Sequence, residues 1–181
     1  MYLISIYFDD KTNKIIRNYI NQVAKATGNS FMLDGNVPPH ITISAFETDT
    51  KNEEKLIEDL KTTLINIKQG KLCWVTVGSF LPYVIYIAPV LNEYLHGLSK
   101  TFYDKLAYKK EISVSKYYRP FQWFPHTTIG KKLTKEQLRE AFEMMQSQFC
   151  VFDGTVTKIG IAKTNPYRDV VLLELQPQSE K

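Results

Sequence analysis

"PPHITIS", residues 38–44, and "FPHTTIG", residues 124–130, share one frame, Pro-His-Xaa-Thr-Ile. Together they use two of the chain's three histidines. Each reads as the opening of a strand. Successive strand side chains point to opposite faces. His40 and Thr42 are therefore expected on one face with Ile41 and Ile43 behind, and His126 and Thr128 on one face with Thr127 and Ile129 behind. By the same alternation the next residues on the polar faces are small, Ser44 and Gly130, which would leave room beside each pair.

Outward from the motifs, the same order of elements is predicted twice. Residues 2–8 read as a strand. Ile15, Ile16, Tyr19, Ile20 and Val23 recur at helical spacing over residues 11–26, with Gly28 as a stop. A loop over residues 29–39 leads into the strand 40–47. Leu56, Ile57, Leu60 and Leu64 line one face of a charged helix over residues 51–67, and residues 72–80 form a strand. The series then restarts: strand 84–88, a helix marked by Leu91, Leu95, Leu98, Phe102 and Leu106, a long loop over residues 109–125, and strand 126–133. Thr134 followed by Gln137 predicts a helix-opening capping box. Residues 149–162 follow as a strand with a break at Asp153-Gly154, then a turn at residues 165–169 and a last strand over residues 170–175. The prediction is an α+β protein built from a duplicated unit, 2–80 and 84–162, with two antiparallel sheets flanked by helices. No low-complexity linker separates the halves, so 1–181 is expected to be a single bilobal domain with a central cleft.

Composition agrees with a folded chain: 181 residues, 44% hydrophobic and 13% aromatic, suffice for a core. A net charge of +4 fits an ordinary soluble surface or an anionic partner held in one cleft, and composition does not choose between them. The first residues read as a strand rather than a signal peptide, and no apolar run approaches the ~18 residues that span a bilayer. A cytoplasmic monomer with no membrane contact is expected. Cys73 and Cys150 lie in apolar runs and are expected to be buried free thiols.

If the duplication carries rough twofold symmetry, both His/Thr faces line one cleft. Histidine titrates closest to neutrality, so one imidazole can hold a proton while its partner lacks one, as simultaneous general acid and general base work requires. Threonine hydroxyls can donate to phosphate oxygens that gain charge in a transition state. This chemistry needs no metal and no cofactor. His and Thr two apart do not form a zinc-ligand pattern, and the cysteines lack CxxC spacing. No GxSxG nucleophile elbow is present either.

The paired His-Xaa-Thr motifs, each followed by a hydrophobic residue and placed in equivalent halves, resemble the 2H phosphoesterase superfamily, which includes 2'-5' RNA ligase-like proteins and RNA 2',3'-cyclic phosphodiesterases. The resemblance spans Tyr2 to Leu175. It implies a bilobal α+β fold with the cleft between lobes, His40 and His126 as the acid–base pair, and Thr42 and Thr128 as phosphate-holding hydroxyls. It implies hydrolysis of 2',3'-cyclic phosphates, on RNA ends or small cyclic nucleotides, to 2'-phosphates. The alternatives are 2'-5' end joining and a non-catalytic RNA- or nucleotide-binding module. Which histidine is the acid stays open.

Beside the motifs, "KYYRPFQWF", residues 116–124, places Tyr117, Tyr118 and Trp123 as candidate stacking faces for a base, or as a hydrophobic plug. Arg119 is a candidate phosphate partner. Tyr167 and Arg168 in the turn are similar candidates. Lys132, by strand alternation, would share the face of His126 and Thr128. His96 belongs to neither motif and reads as a boundary histidine.

Overall fold

Alternating apolar residues make Tyr2–Phe8 a strand, β1, whose Ile4 and Ile6 are fully buried. The structure, a computed structural model, describes residues 1–35, 37–49, 51, 53–164 and 167–178. After β1, the Asp9 carboxylate accepts the Thr12 amide at 2.7 Å and starts α1, Asp10–Thr27. Gly28, at φ 68°, ends it in the left-handed conformation that glycine adopts without a Cβ clash. A short α2, Phe31–Asp34, lies in the expected first loop. β2 spans His40–Thr48, α3 Glu53–Leu64 and β3 Gly70–Phe80.

The second half repeats the order with β4, Val84–Pro89, and α4, Glu93–Leu106, which the Asn92 side chain caps. The long loop contains β5, Ile112–Val114, and one 3₁₀ turn at Lys116–Tyr118. β6 covers Thr127–Lys131. α5, Lys135–Gln148, opens on the Thr134/Gln137 capping box. β7, Phe152–Lys163, and β8, Arg168–Glu174, close the chain. Asn165 and Pro166, in the predicted turn, lie outside the described residues.

The strands form an antiparallel sheet flanked by helices. The two expected sheets are joined in one hydrogen-bonded path, β5-β2-β1-β7-β3-β4-β6, with β8 on β7. The joint follows from strand length. β7 pairs β3 through residues 152–156 and β1 through residues 156–163; β3 in turn continues onto β4. Each half thus lends its third strand to the other half's wing; β7 passes from β3 to β1 at Val156 and runs unbroken through the predicted break at Asp153-Gly154, where it pairs with β3. Gly154 is required there, since a Cβ would sit 2.5 Å from the Thr12 hydroxyl oxygen. The helices cross over too: α1 packs behind β6 and α4 behind β2.

The thiols differ from expectation. Both are free, but Cys150 is exposed and Cys73 half-buried, because they fall where α5 ends and where β3 borders solvent. Among the described residues no helix is long and apolar enough to cross a membrane.

Candidate active site

The motifs begin identically. The His40 ring nitrogen Nδ1 donates to the Pro38 carbonyl at 2.8 Å, and His126 Nδ1 donates to the Phe124 carbonyl at 3.0 Å. A carbonyl only accepts, so each ring carries its proton on Nδ1 and keeps Nε2 as the free base. In both halves the histidine's own backbone two residues upstream fixes the tautomer.

They also share an irregularity that alternation does not show. Ile4 pairs with Ser44 but Ser5 pairs with Thr42, so Ile43 is skipped. Ile85 pairs with Gly130 but Tyr86 pairs with Thr128, so Ile129 is skipped. These are β-bulges at the same place in each motif, and a bulge re-aims every side chain beyond it. Ser44 and Gly130 therefore turn to the helix-packed face and not to the polar face. A Cβ on Gly130 would meet Ile85 at 2.8 Å and Val23 of α1 at 3.0 Å. Their small size makes room for the core, not for a ligand.

The bulge moves the lysine candidate as well. Lys131 pairs with Val84, on the face of Tyr86 and Thr128, and its charge bears on His40. Lys132 takes a left-handed backbone, φ 57°, and its ammonium lies over the Phe31 ring at 4.4 Å. Lys131 occupies the position that Ala45 holds in the first motif.

β2 and β6 run close to one another without pairing, which brings the motifs together. Burial pushes the His40 imidazole below the ordinary histidine value; the charges of His126 and Lys131 push the same way, while the Pro38 bond opposes them. Burial also lowers His126, against its Phe124 bond. Both imidazoles thus favour the neutral form in the free protein.

The walls differ. On the His40 side, Tyr7 lies opposite the histidine, and Ser5 Oγ is 3.4 Å from Thr42 Oγ1. The Tyr7 hydroxyl is 3.4 Å from that of Tyr167, which donates to Asp169 at 2.9 Å. On the His126 side, Phe80 and Tyr86 ring centroids lie 4.7 and 5.5 Å from the imidazole, and Phe124 packs on Tyr86. A cavity of about 460 Å³ opens here, lined by Phe80, Tyr117, Tyr118, Gln122, Trp123, Phe124 and His126.

Of the candidates outside the motifs, Tyr117, Tyr118 and Trp123 line that cavity. Tyr118 lies near the Thr42 side chain, and Trp123, 6% exposed, donates its indole N–H to the Thr42 carbonyl at 3.0 Å. The exposed rings of the cavity are Tyr117, Phe80 and Phe124, and the sequence does not single out the last two. Tyr167 reaches the His40 side through Tyr7. Arg168 does not: it points to Glu53 at 3.8 Å, beside the Lys163–Glu53 ion pair at the Tyr2 end of β1. Arg119 is exposed and does not line the cavity. His96 is half-buried, its ring 4.5 Å from Phe121. Among the described residues no three His, Cys, Asp or Glu side chains gather as metal donors.

Comparison with known proteins agrees with this architecture. Two proteins named as phosphoesterases align over 154 residues: one from Geobacillus sp. (strain WCH70) at 26% identity, covering 81% of this chain and 80% of the relative, and one from Geobacillus kaustophilus (strain HTA426) at 28%, covering 80% and 79%. The crystal structure of E. coli LigT complexed with 3'-AMP shares the fold at a TM-score of 0.59 and 15% identity, over 96% of this chain and 97% of that one. The model of the 2'-5' RNA ligase superfamily matches residues 16–168, and the chain belongs to that family, of the 2H phosphoesterase type.

Proposed function

We propose that the protein is a metal-independent phosphoesterase that hydrolyses 2',3'-cyclic phosphates, on RNA ends or small nucleotides, to 2'-phosphates. The observation that carries this reading is the doubled imidazole. Two histidines with the same carbonyl-fixed tautomer stand within electrostatic reach of each other, and a threonine follows each by two residues on the same face. Family membership supports phosphoesterase or RNA ligase-type chemistry at this level, and the nucleotide bound to the E. coli protein of the same fold favours a nucleotide substrate.

In the proposed reaction one imidazole Nε2 takes a proton from water as the oxygen bonds to phosphorus. The P–O3' bond breaks, and the second imidazole, protonated at the start, gives its proton to the departing 3'-oxygen. The phosphate stays on O2'. Thr42 and Thr128 hydroxyls and the Lys131 ammonium stabilise the charge on the non-bridging oxygens. Tyr117, Phe80 and Phe124 offer faces to a base. With a ribose hydroxyl in place of water the same groups would join ends, the reading that the family's name favours.

The test is incubation of the protein with 2',3'-cyclic AMP in EDTA. Release of 2'-AMP is expected. No turnover of cyclic nucleotides or of RNA bearing a cyclic end would overturn the hydrolase reading, and joined product from paired 2',3'-cyclic and 5'-hydroxyl ends would replace it with the ligase.

A further inference from the structure

The chain has two tryptophans, and each indole N–H ends on the His-Xaa-Thr motif of the opposite half. Trp74, on β3 of the first half, donates to Thr127 Oγ1 at 3.3 Å. Trp123, in the loop of the second half, donates to the Thr42 carbonyl at 3.0 Å. Trp74 is fully buried, stacked on Phe152 with centroids 5.0 Å apart and met edge-on by Phe8. Its hydrogen bond belongs to the core. That of Trp123 belongs to the site.

The reason lies at the edge of the sheet. Among the described residues β5 covers β2 only from Phe46 to Thr48, so the outer edge of β2 from His40 to Ala45 has no partner strand among them. Bare carbonyls on an edge need donors. The loop after β5 supplies them in order: Ser115 N–H to Ala45 O at 2.9 Å, then Trp123 Nε1 to Thr42 O. The next residue, Phe124, gives the carbonyl that holds His126 Nδ1. From the His40 motif to the His126 ring the path is therefore one hydrogen bond from Thr42 to Trp123, one peptide step, and one hydrogen bond to the imidazole. The Trp123 amide also bonds the Arg119 carbonyl at 2.9 Å, which closes the loop on itself and keeps the indole from swinging.

We infer that Trp123 is a positioning residue: its indole N–H fixes the spacing of His40 and His126, so that the two imidazoles act on one phosphorus centre. The kinetic part of this inference rests on the phosphoesterase reading; the structural part does not.

Trp123→Phe keeps the apolar wall and removes the donor. It is expected to lower kcat for 2',3'-cyclic AMP roughly 10- to 100-fold while KM stays close to wild type, as misplacement of reacting groups does. The bared Thr42 carbonyl should lower the melting temperature modestly, so kcat is read well below the transition. Independently of turnover, NMR of the labelled protein follows both imidazole titrations. In the wild-type background His126→Gln should move the His40 midpoint; in the Trp123→Phe background that displacement should shrink. In the unaltered protein the Trp123 indole N–H should exchange slowly with solvent. Unchanged kcat in Trp123→Phe, an undiminished His40 displacement, or fast exchange of the wild-type indole would each overturn the inference. If the wild type turns over no cyclic phosphate, the functional reading falls, and the titrations and the exchange rate still decide the brace.

Discussion

The two motifs are alike within the chain segment and unlike outside it. Each has the equivalent backbone carbonyl under Nδ1, the same bulge after the threonine, and the same buried isoleucine at that bulge, Ile43 and Ile129. Around them the His40 side carries hydroxyls bonded to one another, Ser5 with Thr42 and Tyr7 with Tyr167, with the Tyr7 ring 6.1 Å from the imidazole, whereas His126 lies closer to two rings, Phe80 and Tyr86, with Phe124 behind them. Ala45 on one side stands where Lys131 stands on the other. The repeated local sequence keeps the histidine bond and the bulge, and the neighbours supplied by other strands set what each motif faces. On the proposed function, a symmetric acid–base pair thereby acquires unlike flanks, which suits a phosphodiester with two different substituents.

If the likeness is the chemistry, neither copy can stand in for the other. His40→Ala and His126→Ala are each expected to lower kcat by about 10²–10⁴, measured as release of 2'-AMP. A variant that keeps near-wild-type turnover would show that its half is structural. The lysine contrast should be next in size. Lys131→Ala is expected to cost about 10²–10³ in kcat, the scale of one lost donor to a developing charge, while Lys132→Ala, whose ammonium lies over Phe31, should leave rates close to wild type. Equal losses in the two would refute the bulge-set parity. The unlike walls predict a smaller effect on binding. Phe124→Ala should raise KM for a cyclic nucleotide by the loss of one stacking face, about 1–3 kcal/mol, and should have no such effect on a cyclic phosphate that lacks a base.

Much of this was legible in residues 38–44 and 124–130. The doubled motif gave the repeat. The helical stripes, Gly28 and the Thr134/Gln137 box gave elements whose signals are local. What stayed hidden depends on register. A bulge exists only relative to the strand opposite, so alternation placed Ser44, Gly130 and Lys132 on the polar face, and the pairing with β1 and β4 puts Lys131 there instead. The exchange of β3 and β7 between wings is likewise a pairing between distant residues that no local pattern encodes. Trp123 read as a stacking face because sequence gives the ring but not the carbonyl that claims its N–H. Arg168 read as a phosphate partner because the Glu53 that draws it lies far away along the chain.

The bulge can also be probed through stability, where the copies should respond with opposite sign. The Ser44 hydroxyl is buried with no hydrogen-bond partner among the described residues, so Ser44→Ala removes an unsatisfied group and should stabilise by about 1 kcal/mol. Gly130→Ala pushes a methyl against Ile85 and Val23 and should destabilise by about 1–3 kcal/mol. Denaturant midpoints of the two variants read the signs directly, and the same sign in both would mean that the two bulges are not equivalent.

The smallest expected effect is the pH dependence. Burial first, and for His40 the charges of His126 and Lys131 as well, lower both imidazoles below the ordinary value of 6.5. The unfolded chain then binds more protons than the folded one between the lowered values and 6.5, so stability rises with pH across that window. Acidification through it should weaken the fold, and below both folded values the loss should level off. His40→Gln with His126→Gln should flatten that part of the curve. Catalysis adds a second reading of the same shifts. Productive enzyme carries one proton on the pair, and that form is most abundant between two lowered values. The kcat/KM profile for 2',3'-cyclic AMP should therefore be bell-shaped with its maximum on the acid side of pH 6.5; a maximum on the alkaline side would mean that at least one imidazole is not held neutral by its surroundings in the free enzyme.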